Sequence, residues 1–149
     1  TWSLVSSNGP SAREGVALAW DPSFMGGRVV LFGGLGNNGN RADTFAWDGT
    51  TWTTVTPTTS PVGRVFHDMV YSPVLGKILL FGGSTGGSAT ATFYGDTWVF
   101  DRTTWTQLMP ATLPGSRNGH SMEFDPTRNH VMLFSGYNGT SVFGDQWEY

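Results

Sequence analysis

The sequence contains no cysteine. Disulfide bonds and thiolate metal sites are therefore excluded, and packing and hydrogen bonds must supply the stability. The lack of cysteine does not decide the compartment, because exported bacterial proteins also do without it. The localisation stays open, and the composition is compatible with a secreted or periplasmic bacterial protein.

Charge is scarce as well. Charged residues make up 13% of the 149, lysine occurs once, at Lys77, and 8 basic against 11 acidic residues give a net charge of −3. The chain has no basic stripe, which excludes nucleic acid and anionic membranes as partners. It also lacks the run of 18 apolar residues that a membrane-spanning helix requires.

Glycine, with 21 residues, and aromatic residues, at 14%, are abundant instead. Together with many threonines they are typical of short strands and tight turns, and no segment has helical periodicity. Hydrophobic residues make up 38% of the chain, which is enough for a packed core. The length predicts a single all-β domain over residues 1–149.

The sequence repeats itself three times with a period of about fifty residues. An apolar run that ends in a glycine pair occupies residues 29–34 and recurs at residues 78–83 and, with Ser135 in place of the first glycine, at residues 131–136. Three further residue types keep the same spacing: Trp2, Trp52 and Trp105; Arg13, Arg64 and Arg117; Asp43, Asp96 and Asp145. Chance does not produce four markers with one period.

Each unit is predicted to form four strands. The first strand alternates, as in residues 67–71, and the second is a continuous apolar run of the kind that is buried on both faces. A turn such as Asp21-Pro22 separates these two strands. A variable loop leads to the third strand, and a tight turn such as residues 48–50 leads to the fourth, which carries the tryptophan.

This repeat resembles the kelch motif over the whole chain. The glycine pair is intact at Gly33-Gly34 and Gly82-Gly83 and altered at Ser135-Gly136, and an aromatic residue precedes the fourth strand in each unit. The resemblance implies a kelch-type β-propeller, in which four-stranded blades surround a central channel.

The terminal segments predict how such a ring closes. Residues 2–5 match the fourth strand at residues 52–55, whereas residues 145–149 match a third strand. We expect three blades at about residues 6–55, 56–108 and 109–149, with the last completed by residues 1–5 of a second copy. Propellers take about four to eight blades, so two half-propellers would form a six-bladed homodimer. A different partner half is the alternative.

The three arginines are the first candidates for ligand binding. Arg13, Arg64 and Arg117 each lie just before a first strand, at one rim of the expected channel. Clustered guanidinium groups bind carboxylate or phosphate through paired hydrogen bonds, and the resemblance implies that such arginines can hold acidic peptides. The alternative is structural: each arginine pairs with a backbone carbonyl or an aspartate of a neighbouring blade, or stacks on an aromatic ring.

Histidine and carboxylate side chains also recur near the channel. His67 and His120 occupy equivalent positions and are interpreted as channel-wall residues, too far apart around a ring to hold a metal ion. The three repeated aspartates are interpreted as turn-formers bonded to their own backbone. Asp68 and Glu123 are not repeated in their columns and are candidate partners for the arginines.

The loops after the glycine pairs differ most between units and are the second candidate site. They contain Asn38, Tyr94 and Tyr137, and amides with aromatic rings suit a carbohydrate; the alternative is that loops are polar because they face water. No catalytic triad, phosphate-binding loop or metal-spaced motif occurs, so no catalytic residue, metal or cofactor is predicted. The sequence favours a non-catalytic binding or scaffold module, with a carbohydrate-binding or carbohydrate-active protein, such as a sugar isomerase or lyase, as the alternative.

Overall fold

The computed structural model describes residues 1–86 and 90–149, and these residues contain thirteen strands and no helix. The strands are β1 (Ala17–Asp21), β2 (Arg28–Phe32), β3 (Leu35–Gly36), β4 (Gly39–Asn40), β5 (Thr44–Trp47), β6 (Trp52–Val55), β7 (Asp68–Ser72), β8 (Lys77–Phe81), β9 (Thr97–Phe100), β10 (Trp105–Leu108), β11 (Ser121–Asp125), β12 (His130–Phe134) and β13 (Gln146–Glu148). The prediction of an all-β protein is confirmed. Within the described ranges, no helix is long and apolar enough to cross a membrane.

The strands form three sheets that follow one another along the chain. The first sheet has the order β1-β2-β5-β6, the second β7-β8-β9-β10, and the third β11-β12-β13, and all neighbouring strands are antiparallel. A short hairpin, β3-β4, extends from the first sheet after its glycine pair. The sheets therefore repeat one connection pattern, as the sequence repeat predicts.

The apolar second strands lie inside the sheets and are buried on both faces. In β8, Ile78, Leu79 and Leu80 are at most 2% exposed. A strand with neighbours on both sides and a sheet on each face has no contact with water, so it tolerates apolar residues at every position. Burying a side chain of this size stabilises the fold by about 1.5–3 kcal/mol.

The sheets pack face to face in series, with one apolar cluster in each seam. Val30 and Phe32 of the first sheet pack against Ile78, Leu80 and Trp105 of the second. The second seam repeats this arrangement one unit later, where Leu79 and Phe81 pack against Met122, Val131 and Leu133. The second sheet is thus covered on both sides by its neighbours.

The first glycine of each pair allows the close approach of the next sheet. Gly33 and Gly82 have φ angles of 72° and 67°, and a Cβ on either would lie 2.8 or 2.6 Å from the carbonyl oxygen of Arg64 or Arg117. Glycine is required there because both the positive φ and the contact exclude a side chain. Ser135 keeps the same conformation, with φ of 68°.

The two ends of this series are open. Residues 1–5 form no strand, Trp2 and Leu4 are fully or largely exposed, and β13 is the edge strand of the third sheet. The expected pairing of residues 2–5 with a second copy is a relationship between chains, and it stays a prediction.

Candidate functional site

The repeated arginines are built into the sheets. Arg64 donates from Nη1 to the carbonyl oxygen of Gly82 at 2.8 Å and to Oδ1 of Asp96 at 2.6 Å, and from Nη2 to Oδ2 of Asp96 at 2.9 Å. Its Nε donates to the carbonyl oxygen of Val62, and its guanidinium lies 4.3 Å above the centre of the Tyr94 ring. The side chain is fully buried, so every face of the guanidinium meets protein.

The other two units repeat this arrangement. Arg117 binds the carbonyl oxygen of Ser135 and both oxygens of Asp145, and it lies 4.1 Å from the centre of the Phe143 ring. Arg13 binds Gly33 and Asp43 in the same way. These contacts favour the structural interpretation of the arginines over anion binding. The paired aspartate belongs to the arginine's own unit rather than to a neighbouring one, because pairing of the second and third strands places it beside the glycine pair.

The ion pair changes the protonation of the aspartates. Burial by itself raises the pKa of Asp96, but the hydrogen bonds and charge of Arg64 outweigh it and hold the pKa below its usual value. The hydrogen bond from Arg117 likewise lowers the pKa of Asp145. The interpretation of these aspartates as turn-formers missed their main partners, since the two groups are about thirty residues apart in sequence.

His67 and His120 lie in the seams between sheets. Each imidazole packs edge-on against a phenylalanine of the preceding sheet, at 5.5 Å between ring centres for Phe32–His67 and for Phe81–His120. Burial and the nearby Arg64 charge lower the pKa of His67 to about 3, and burial with the Arg117 charge lowers that of His120 to about 4. Both imidazole rings are therefore neutral near pH 7.

The three candidate loop residues have different structural surroundings. The Tyr94 ring packs against the guanidinium of Arg64. The Tyr137 ring packs edge-on against Phe93, with 5.9 Å between ring centres, and its hydroxyl donates a hydrogen bond to the carbonyl oxygen of Gly139. Asn38 is exposed at the turn of the β3-β4 hairpin. Part of the second loop, residues 87–89, lies outside the described residues.

A groove along the first strands of the three sheets has the features of a binding site. It has a volume of about 490 Å³ and runs across β1, β7 and β11. Trp20, Tyr71 and Phe124, which are equivalent positions in the three units, line it together with Asp68 and Glu123. The Trp20 side chain is 55% exposed to solvent, whereas a tryptophan in a protein core is buried. Among the groove-lining residues there is no lysine, arginine or histidine.

The two groove carboxylates are not partners of the arginines. Asp68 accepts from the backbone N–H groups of Met69 and Met122, at 2.8 and 2.6 Å, and Glu123 accepts from the N–H of Phe124. Burial, reinforced by the negative charge of Glu123, raises the pKa of Asp68. The sequence showed that neither carboxylate recurs at the equivalent positions of the other units. Only the packing of β7 beside β11 brings the two residues to one surface. Within residues 1–86 and 90–149, no three histidine or carboxylate side chains are grouped so as to hold a metal ion.

The fold and groove define a repetitive all-β protein with an acidic, aromatic concave surface. No protein-family model matches the chain. The chain is similar to Adagio protein 3 of Arabidopsis thaliana, with 30% identity over 145 residues that cover 91% of this chain and 22% of that protein. It thus spans about a fifth of the length of this curated relative.

Proposed function

We propose that the chain is a non-catalytic binding module: a three-bladed arc of a kelch-type β-propeller that holds its ligand in the groove along β1, β7 and β11. Three antiparallel sheets in series, each starting with an inner strand and continuing outward, support the propeller architecture. The arginine–aspartate pairs of all three units and the glycine pairs of the first two support the kelch assignment.

The exposed Trp20 is the observation that carries the binding function. The repeated residues have structural roles. The arginines form ion pairs with aspartates, and the side chains of the apolar second strands pack in the seams between sheets. In the groove, Tyr71 and Phe124 pack partly against the core clusters of the seams, whereas Trp20 leaves its aromatic surface open to solvent. An exposed aromatic ring that lines a groove is typical of a ligand site.

The groove chemistry favours a ligand that is rich in hydrogen-bond donors and has apolar faces. Aromatic rings stack on the C–H faces of sugars, and a carboxylate such as that of Glu123 accepts bonds from their hydroxyl groups. Anionic ligands find no cation in the groove lining. Of the two ligand classes expected from the sequence, we therefore propose carbohydrate over acidic peptide.

A titration followed by tryptophan fluorescence tests this proposal. Oligosaccharides of several linkages, an acidic peptide and a basic peptide are each added to the intact chain, to Trp20→Ala and to Tyr137→Ala. We expect saturable binding of a saccharide that Trp20→Ala weakens at least about tenfold and Tyr137→Ala leaves unchanged. Loss of binding in Tyr137→Ala alone would move the site to the loops, and binding of the acidic peptide but of no saccharide would refute the carbohydrate ligand.

A carbohydrate-active enzyme is the second candidate, because Asp68 and Glu123 lie on the same groove and the pKa of Asp68 is raised. Glycoside chemistry uses two carboxyl groups, of which the general acid has a raised pKa. Product analysis with the intact chain, Asp68→Asn and Glu123→Gln distinguishes the two functions. Turnover that either substitution abolishes while binding persists would establish the enzyme.

A further inference from the structure

Phe66 is held in a backbone conformation that a bulky residue rarely adopts. Its φ is 55°, in the left-handed region, where glycine is favoured because it has no Cβ. The equivalent residues of the other two units are glycines, Gly15 and Gly119, with φ of 63° and 64°. The second unit thus has an aromatic side chain at a position where any side chain strains the backbone.

Hydrogen bonds to both neighbouring units hold Phe66 in this conformation. Its N–H donates to the carbonyl oxygen of Gly15 at 2.9 Å, and its carbonyl oxygen accepts from the N–H of Gly119 at 2.8 Å. The three equivalent residues therefore form one hydrogen-bonded row just before the first strands β1, β7 and β11. Because these bonds use only backbone atoms, a glycine at residue 66 would form both of them.

The packing of the fold does not account for the phenylalanine ring either. Phe66 is 41% exposed, whereas Val65 before it and His67 after it are buried. Among the described residues, neither apolar cluster of the seams includes Phe66. Its ring lies against Gly15, where a Cβ would be 3.2 Å from two ring carbons, whereas a Cβ on Gly119 would meet nothing within 4 Å. The ring is therefore supported from the first unit, and the space beside the third unit is open.

Phe66 lies beside one end of the groove. Asp68, the first residue of β7, lines the groove, and Phe66 precedes it by two residues. Tyr71, the counterpart of Trp20, lines the groove three residues beyond Asp68, so the two aromatic levels are at most about 17 Å apart along the chain. The carboxylates of Asp68 and Glu123 belong to the residues between these levels. This length exceeds a single sugar and matches a short oligosaccharide.

We propose that Phe66 is a second aromatic contact for the ligand of the groove, and that the site takes an oligosaccharide long enough to reach from Trp20 to Phe66. One sugar unit stacks on Trp20 at one end of the groove, and another stacks on the Phe66 ring at the other. The backbone strain at residue 66 then serves binding, as it does in other ligand sites. This inference rests on the proposed function, because it requires a carbohydrate in the groove, and it adds a binding residue and a ligand length.

The melting temperature of Phe66→Gly tests whether the ring is needed by the fold. The substitution gives the second unit the residue that the other two units have, so the chain should fold. Relief of the left-handed strain offsets the lost contact with Gly15, and we expect a melting temperature no lower than that of the intact chain. Phe66→Leu keeps the strain and removes the ring, so it should melt below Phe66→Gly.

Isothermal titration calorimetry tests the binding role with glucose, mannose and N-acetylglucosamine oligomers of one to six units. For the intact chain, affinity should rise with length until the oligomer reaches Phe66. Phe66→Gly should remove this rise and weaken the longest oligomer about fivefold to tenfold, and it should leave the disaccharide unchanged. Phe66→Tyr keeps the ring and should bind as the intact chain does. Val74→Ala removes an exposed side chain beyond the other end of β7 and should change nothing.

Unchanged binding of every oligomer by Phe66→Gly overturns the role of Phe66, and the proposed function still stands if Trp20→Ala weakens binding. A Phe66→Gly chain that melts well below the intact chain also overturns it, because the ring would then belong to the fold. An affinity that does not grow with oligomer length refutes the proposed ligand length. An intact chain that binds no saccharide of any length refutes the carbohydrate ligand itself, and this inference with it.

Discussion

Arg64 and Asp96 form a two-point ion pair, with Nη1–Oδ1 at 2.6 Å and Nη2–Oδ2 at 2.9 Å, in which the arginine is fully buried. Asp96→Ala leaves this cation without its counter-charge in a dry environment. We expect a loss of roughly 3 kcal/mol in the free energy of unfolding, measured by urea denaturation. Arg128→Ala, which breaks the exposed pair with Asp125, is the control and should have no measurable effect. Equal effects of the two substitutions would contradict a structural role of the buried pair.

The buried histidines predict that mild acid destabilises the protein. The pKa values of His67 and His120 are lowered to about 3 and about 4, below the value of about 6.5 for the unfolded chain. Between these pH values the unfolded state binds more protons than the folded state, so stability falls as the pH drops from about 6.5 towards 4. Each histidine contributes up to about 1.4 kcal/mol per pH unit.

Urea denaturation across pH 7 to 4 measures this slope. His67→Leu should reduce it, because the substituted residue takes up no proton in either state. His130→Leu is the control, since His130 is half-exposed beside Glu148. A slope that His67→Leu leaves unchanged would show that the imidazole is already protonated in the folded protein.

Alanine substitution should destabilise the protein more at a glycine of the glycine pair than at a glycine in an open turn. Gly76 and Gly82 both have positive φ, 62° and 67°, but a Cβ on Gly76 meets nothing whereas one on Gly82 lies 2.6 Å from the carbonyl oxygen of Arg117. Gly76→Ala should cost about 1–2 kcal/mol for the backbone conformation alone. Gly82→Ala should lower the melting temperature clearly further, because the third sheet must shift. Similar melting temperatures would mean that the second seam is loose.

The repeat in the sequence was sufficient to predict an all-β fold with strands in three similar units, but not the short β3-β4 hairpin. Period-two alternation predicts a strand with one apolar face, and a continuous apolar run such as residues 78–81 predicts a strand at the centre of a sheet. The same logic left the sites open between ligand binding and structural pairing. Arg64 has the charge and spacing of an anion-binding residue, and nothing local to it indicates that Asp96, thirty-two residues away, takes up its donors.

The sequence by itself determined that this is an all-β protein of three similar units, because strand propensity, turn residues and apolar periodicity are local properties that neighbouring residues express together. Only the tertiary structure decided what the repeated residues do. Contacts between distant segments bury Arg64, bring Asp68 and Glu123 to one groove, and leave a cavity lined by Phe81, Thr97 and Tyr149. These properties depend on which sheet covers which face, and that is a relationship between residues some fifty positions apart.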